Sequence, residues 1–316
     1  IVHKTSDPAV VVLDQKGKHA ISLLSGHLGG ANDLAREMAA ISGGEAVITT
    51  ATDVAGELSF DTFAKKYDMA IENIGQLKHI SGALLAGKKV NVFTNKNAKE
   101  LYPELAEEQK RGMIDIFSLS DFFKIYIRNK NNTKTEDLNA NLRSKNIITS
   151  HIETYNIAVT DDKNVKTTPI MSPSTNIDNI ESNIPIVVID EGFSLNECST
   201  IPSSAPILYL RPRTICAGIG CKRNMEQKPI EEALLQTLKE EGLHPLSLKC
   251  IATIPLKSDE LGIIETAANL NVPLKIIPTE KIEKLDISQL GIATSEFVAS
   301  QTGVLSVSTA CSYLAS

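Results

Sequence analysis

Short β-branched runs alternate with helix-period stretches along the first part of the chain. Val10–Leu13 reads as a strand, Gln15-Lys16-Gly17-Lys18 as a turn and Ala20–Leu24 as a second strand, so the pair is expected to form a hairpin. A helix is expected from Ala31 to about Ile41, ended by Gly43-Gly44. Ala46-Val47-Ile48-Thr49-Thr50 reads as a strand running into Ala51-Thr52-Asp53, the kind of strand end where α/β ligand sites collect. Phe60–Ala70 is expected to be a helix and Val90–Phe93 a strand.

The pattern loosens from about residue 86 to 205, where Asn, Ser, Thr and Lys are abundant, as in 129–135 and from about 167 to 183. Apolar strands at Ile157–Val159 and Ile184–Ile189 interrupt what reads as an α/β region with long surface loops. Regular alternation returns from about 206. Ile207–Leu210 and Thr214–Ala217 read as strands, followed by a second glycine turn, Gly218-Ile219-Gly220-Cys221-Lys222-Arg223-Asn224. Pro229 sits where a helix would begin, Ile230, Leu234, Leu235 and Leu238 form its apolar stripe, and Gly242 ends it. Leu246–Ile254 and Leu274–Ile277 are further strands, with Lys257-Ser258-Asp259-Glu260 opening a helix between them. Strand–helix–strand order predicts a multi-domain α/β fold with mostly parallel sheets. The expected units are an N-terminal α/β domain over 1–85, a variable α/β middle over 86–205 and a C-terminal α/β domain over 206–316.

Length and composition narrow the function classes. The 316 residues suit two or three domains, and hydrophobic residues at 42% suffice for real cores. No apolar run approaches the roughly 18 residues of a membrane-spanning helix. Five cysteines, an odd number without a C-x-x-C pair, argue against a disulfide scaffold and against a zinc site, so a reducing, cytoplasmic location and no bound metal are expected. A net charge of −6 argues against a nucleic-acid partner.

Candidate chemistry centres on Gly26-His27-Leu28-Gly29-Gly30-Ala31-Asn32, a glycine turn between a strand and a helix. Backbone N–H groups at such a corner, helped by the helix dipole, favour an anion or carbonyl. His27 adds the side chain that titrates nearest neutral pH. The alternative is a purely structural turn with Asn32 or Asp33 capping the helix. The spacing matches neither dinucleotide nor phosphate-loop motifs, which disfavours a nucleotide-binding protein. In the third unit, Arg211, Arg213, Lys222, Arg223 and Lys228 oppose a single acid, Glu226, and suit a ligand bearing several carboxylates or phosphates, unless they are simply solvated charges. Cys221, without a His or Asp motif nearby, reads as a structural or ligand-lining thiol.

Three segments near the start carry a family resemblance: Asp7-Pro8-Ala9-Val10-Val11-Val12-Leu13-Asp14, Leu23-Leu24-Ser25-Gly26-His27-Leu28-Gly29-Gly30-Ala31-Asn32 and Ile48-Thr49-Thr50-Ala51-Thr52-Asp53. Further on, Gly218-Ile219-Gly220-Cys221-Lys222-Arg223, Lys257-Ser258-Asp259-Glu260, Ser295-Glu296-Phe297-Val298 and Gly303-Val304 continue it in the same order. The chain resembles the CbiG family, the cobalt-precorrin-5A hydrolases of anaerobic cobalamin biosynthesis. The family begins further upstream, which implies a truncated start at Ile1. Its acidic pattern near the end reads Ser308-Thr309-Ala310-Cys311 here, so no role carries over to that position.

The resemblance implies a cobalt-bearing contracted tetrapyrrole as substrate, with a δ-lactone that water opens and a displaced meso carbon that leaves with its methyl as acetaldehyde. No cofactor is implied, because the cobalt arrives inside the substrate. For such a reaction His27 is the expected general base or acid, and Ser25 and Asn32 are expected to donate hydrogen bonds to the lactone carbonyl. Gly26, Gly29, Gly30, Thr52 and Asp53 would line the same crevice. Gly218, Gly220 and Cys221 would form a second substrate surface, with Lys222, Arg223 and Lys257 on substrate carboxylates; Glu260 and Glu265 would orient them or supply a second acid, unless they are simply a helix N-terminal charge and a surface helix carboxylate. The remaining histidines, including His244, are expected to be structural or superficial. A non-catalytic escort that passes tetrapyrrole intermediates between pathway enzymes is the competing reading, and transient contact with those enzymes is expected under either. Oligomeric state is not legible.

Overall fold

The computed structural model describes residues 7–27, 29–49, 58–94, 98–119, 147–152, 155–160, 184–192, 205–286 and 295–316. Within them the fold is mixed α/β, with three sheets in which most strand pairs are parallel. The expectations for Thr52, Asp53 and the polar stretches at 129–135 and 167–183 lie outside the described residues. No helix among the described residues is long and apolar enough to cross a membrane.

The first sheet has three strands. β1 (Val10–Leu13) and β2 (His19–Leu24) form the expected antiparallel hairpin. Helix α1 (Ala31–Ser42) then crosses to β3 (Glu45–Val47), which pairs parallel to β2. Ala20, Ala35 and Ala39 are the buried residues of the contact, and their small side chains let helix and strand approach closely. Gly43 ends α1 in the left-handed conformation, φ 69°, as the glycine pair suggested.

The second sheet gathers chain segments far apart in sequence. Helix α2 (Phe60–Lys66) precedes β4 (Met69–Ile71), and α3 (Leu77–Leu85) precedes β5 (Val90–Thr94). Two short helices, α4 (Ala98–Leu101) and α5 (Pro103–Lys110), lead to β6 (Ile114–Phe117). β7 (Ile147–Ile152) and β8 (Tyr155–Thr160) belong to the third sheet, whereas β9 (Ile186–Ile189) and β10 (Ile207–Pro212) return to the second. Its order is β4-β10-β9-β5-β6, with only β4 antiparallel to its neighbour. The sheet therefore includes residues on both sides of the breaks expected at 85 and 205. The reason is pairing: the apolar strands β9 and β10, buried on both faces, find their partners in β5 and β4.

The third sheet runs β13-β12-β11-β8-β7. It contains β11 (Ile215–Cys221), β12 (Leu248–Thr253) and β13 (Leu274–Ile276), all parallel, with β8 and β7 added antiparallel at one edge. Helices α6 (Gln227–Glu240) and α7 (Leu261–Asn269) cover one face, where Ile215, Ala217, Ile219, Leu234 and Leu238 are buried. Helices α8 (Thr279–Glu283), α9 (Glu296–Thr302) and α10 (Ser308–Ala315) follow β13 in the chain. Cys216, Cys250, Ile282, Val307, Ala310 and Cys311 form the core of the opposite face. Alternate β11 residues thus enter opposite cores, which explains why the strand reads as a continuous apolar run.

One expected turn is corrected here. Gly218, Ile219 and Gly220 lie within β11, and the chain turns only after Cys221. A Cβ at Gly218 would overlap the Ser308 carbonyl oxygen and lie 2.8 Å from the Ser312 nitrogen. Gly218 is therefore the place where α10 sits directly on the strand backbone, and its expected contact with substrate is replaced by helix packing.

Candidate active site

The turn after β2 folds on its own carbonyls. Ser25 takes a left-handed conformation, φ 57°, and its carbonyl accepts from the Ala31 N–H at 3.0 Å. The Gly26 carbonyl accepts from Asn32 N–H at 3.0 Å, and the His27 carbonyl from Gly30 N–H at 3.2 Å. Gly30, φ 84°, is the N-cap of α1, a conformation glycine adopts without strain. The expectation of outward-pointing donors is thus corrected: the N–H groups of Gly30, Ala31 and Asn32 are consumed inside the turn. Neither Asn32 nor Asp33 caps the helix.

The side chains of the turn separate. Asn32 is 3% exposed, and its Oδ1 accepts from Ser22 Oγ at 2.6 Å, tying α1 to β2. That burial corrects its expected role as a donor to a substrate carbonyl. The Ser25 hydroxyl makes no hydrogen bond among the described residues. Gly26 is half-buried and Gly29 exposed.

His27 is drawn to α2. Its side chain is 8% exposed, and Nδ1 lies 3.1 Å from each carboxylate oxygen of Asp61. Ser59 Oγ is 3.1 Å from the same nitrogen and donates a short hydrogen bond to Asp61 Oδ1. Asp61 stands in the first turn of α2, and the Thr62 N–H also donates to it at 3.0 Å. Burial alone would raise the Asp61 pKa, but the hydrogen bonds from His27 and Ser59 and the charge of His27 outweigh it and hold the carboxyl below its usual range. Asp33, near the start of α1, pairs with Lys65 of α2 at 3.2 Å and with Arg36 at 3.2 Å, so a second, exposed link joins the same two helices.

A folded-state pKa depressed in this way stabilises the fold above the unfolded carboxyl value of about 3.9, and the contribution disappears as pH falls through the folded value. Asp61→Asn should therefore be less stable than the parent at pH 6, with the difference shrinking below about pH 4. Urea unfolding at stepped pH measures this. A difference constant down to the folded value would show that the carboxylate has no such coupling.

Of the five basic residues expected to form a surface in the C-terminal unit, Arg211 alone is internal, and the other four keep contact with solvent. Arg211 is fully buried: Nε donates to Glu72 Oε2 at 2.7 Å, Nη2 lies 2.6 Å from the same oxygen, and Nη1 reaches the Asp190 carbonyl at 3.1 Å. His244 borders this pair, Nε2 lying 3.8 Å from Glu72 Oε2; burial and Arg211 lower its pKa while Glu72 opposes them. Arg213 approaches Asp68, and Lys228 approaches Glu232. Lys222 is exposed.

Glu260 is the hub of the other residues expected to bind substrate. It is 4% exposed, at the N-cap of α7. Oε1 lies 3.0 Å from Lys257 Nζ and 3.3 Å from Arg223 Nε, while Oε2 accepts from the Asn224 N–H at 2.9 Å. Arg223 also donates to Asp259 at 2.7 Å and to the Leu256 carbonyl at 2.9 Å. Arg223, half exposed, thus ties the turn after β11 to the segment before α7, and Lys257 pairs with Glu260 within that segment. Glu265 is exposed on α7. Burial raises the Cys221 thiol, Lys257 and Arg223 oppose this and Glu260 adds to it, so the thiol is not activated.

Glu260→Ala removes the partner of Lys257, a lysine 8% exposed. Breaking a buried pair this way costs about 3–5 kcal/mol. The urea midpoint should fall accordingly, and an unchanged midpoint would show that the pair is not held in solution.

Three family models of one system cover most of the chain. Cobalamin synthesis G N-terminal matches residues 1–53, Cobalamin biosynthesis central region 58–168 and Cobalamin synthesis G C-terminus 215–316. The chain belongs to the CbiG family. It is similar to the cobalt-precorrin-5A hydrolase of Salmonella typhimurium, 28% identical over 314 residues, which are 99% of this chain and 70% of that protein. It is similar to the cobalt-precorrin-5A hydrolase of Priestia megaterium, 26% identical over 305 residues, 96% of this chain and 65% of that protein. Among solved structures, CobE, a protein from the cobalamin (vitamin B12) biosynthetic pathway, is 29% identical, covering 30% of this chain and 66% of that chain, with a TM-score of 0.28. The chain spans 65% to 70% of the length of these two hydrolases.

In this CbiG chain the His27–Asp61 contact therefore joins the N-terminal match to the central match. Among the described residues no hydrogen bond or ion pair joins it to the Glu260 hub of the C-terminal match. Ser59 and Asp61 were missed by sequence reasoning. Their local signal, a serine ahead of Phe60 and an acid in the first turn, reads as an ordinary helix start. What makes them functional candidates is contact with His27, 32 and 34 positions earlier.

Proposed function

We propose that this CbiG chain hydrolyses the δ-lactone of cobalt-precorrin-5A and releases acetaldehyde, giving cobalt-precorrin-5B. One observation carries the reading: a nearly buried imidazole in a glycine turn, bonded to a carboxylate, in a chain aligned over 96% or more of its length with two hydrolases of that name. The cobalt belongs to the substrate. The cytoplasm, where thiols such as the free Cys216, Cys221, Cys250 and Cys311 stay reduced, is the proposed location.

His27 takes a proton from water, and the resulting hydroxide adds to the lactone carbonyl. Collapse of the tetrahedral adduct breaks the ring C–O bond, leaving the alkoxide of the meso carbon and a carboxylic acid that releases its proton to solvent to become a carboxylate. That alkoxide becomes the carbonyl of acetaldehyde as its bond to the macrocycle breaks, the electron pair passing to the macrocycle. The imidazolium returns the proton during these steps.

The test is anaerobic acetaldehyde release with substrate in large excess over enzyme. Many turnovers per chain support the reading. Binding of the macrocycle without turnover would replace it with the escort function.

A further inference from the structure

Ser59, His27 and Asp61 look at first like a nucleophile–base–acid array, but both oxygen-bearing side chains meet the same imidazole nitrogen. Ser59 Oγ and the Asp61 oxygens all lie 3.1 Å from Nδ1. A serine nucleophile needs the histidine nitrogen opposite the one its acid holds. Here the Ser59 hydroxyl instead donates to Asp61, and the carboxylate is left to accept from Nδ1–H. An imidazole that donates through Nδ1 carries its lone pair on Nε2. The contacts at Nδ1 favour that tautomer, as for a metal-bound histidine whose second nitrogen is fixed by a carboxylate.

We infer that Asp61 is a positioning residue that presents His27 Nε2 as a proton acceptor, and that Ser59 locks the Asp61 carboxylate in the orientation this requires. The inference rests on the hydrolase reading of His27 and deepens it. Asp61 touches neither water nor lactone in this role. It acts by excluding the Nε2–H tautomer and by facing the imidazolium that forms in the transition state. Ser59 and Thr62 N–H occupy Asp61 Oδ1, which limits rotation of the carboxylate away from the ring. The turn, closed by the N–H groups of Gly30, Ala31 and Asn32, places His27 against α2. It also places the working imidazole at the junction of two separately matched segments, so the central region supplies part of the site.

The experiment combines 15N NMR of the imidazole in substrate-free protein with steady-state kinetics on cobalt-precorrin-5A. Parent protein should show His27 protonated at Nδ1 with Nε2 unprotonated at alkaline pH. Asp61→Asn should shift the ring toward the Nε2–H tautomer and lower kcat by about a hundredfold or more, with KM within about threefold. Asp61→Glu keeps the charge and should recover part of the rate. Ser59→Ala, which leaves the ion pair, should cost about tenfold in kcat. A tautomer unchanged in Asp61→Asn, or a kcat unchanged in both Asp61→Asn and Ser59→Ala, overturns the inference. A tautomer that shifts in Asp61→Asn while His27→Ala retains full turnover overturns the hydrolase role of His27 instead.

Discussion

His27→Ala should lower acetaldehyde release by about a hundredfold or more, the loss expected if the proposed general base is removed. The effect falls on kcat, because an imidazole anchored at Nδ1 is not needed to hold a macrocycle bearing many carboxylates. The fold is expected to survive: the turn is closed by backbone hydrogen bonds among Ser25, Gly26, Ala31 and Asn32, none of which uses the imidazole. Asp61 does lose its partner, and its pKa should move back toward the ordinary carboxylate value, since the interactions that lower it come first from His27. Comparing kcat, KM and the urea midpoint of His27→Ala with the parent decides the matter. Near-normal turnover from a folded variant removes His27 from the chemistry.

A large loss of stability is expected at Gly218, where a helix backbone lies against the strand. A valine there directs its Cβ into the Ser308 carbonyl, with the Ser312 nitrogen 2.8 Å away. Both contacts are helix backbone, which cannot swing aside as a flexible side chain can, so α10 must lift off the sheet. Overpacking costs typically about 1–3 kcal/mol, and a backbone collision stands at the upper end or beyond. Lifting α10 would also loosen Ala310 and Cys311, which are buried against Cys216 and Cys250. Gly220→Ala is the control: its Cβ would meet Val307 Cγ1 at 3.5 Å, an ordinary contact, and should cost less than about 1 kcal/mol. Urea unfolding of the two variants separates packing from substrate binding. A stable Gly218→Val with raised KM would restore the substrate role that the sequence suggested.

The two glycine segments show how differently sequence speaks of similar motifs. Both were read as turns that bind a ligand. The first is a turn, its imidazole meets Asp61, and the N–H groups of Gly30, Ala31 and Asn32 are used internally. The second lies in a strand, because glycine spacing does not distinguish a bend from a place where a helix must touch the backbone. The same limit applied to charge. Arg211, Arg213, Lys222, Arg223 and Lys228 formed a conspicuous basic set in one dimension, yet Arg211 and Arg223 each meet a distant carboxylate in the fold, at Glu72 and Asp259. Those acids come from positions that charge counting along a window does not connect.

Local pattern by itself determined the hairpin of β1 and β2, the helix α1 with its glycine stop, the apolar stripe of α6 and the α/β class, because each follows from periodicity and turn chemistry within a few residues. Residue motifs were enough to point to the CbiG family. Only the tertiary structure decided that β4, β9 and β10 share a sheet with β5, that Glu260 neutralises two expected substrate cations, and that Asp61 and Ser59 hold His27. These depend on pairings between distant segments, whose partners are chosen by burial and charge in three dimensions and leave no periodic trace along the chain.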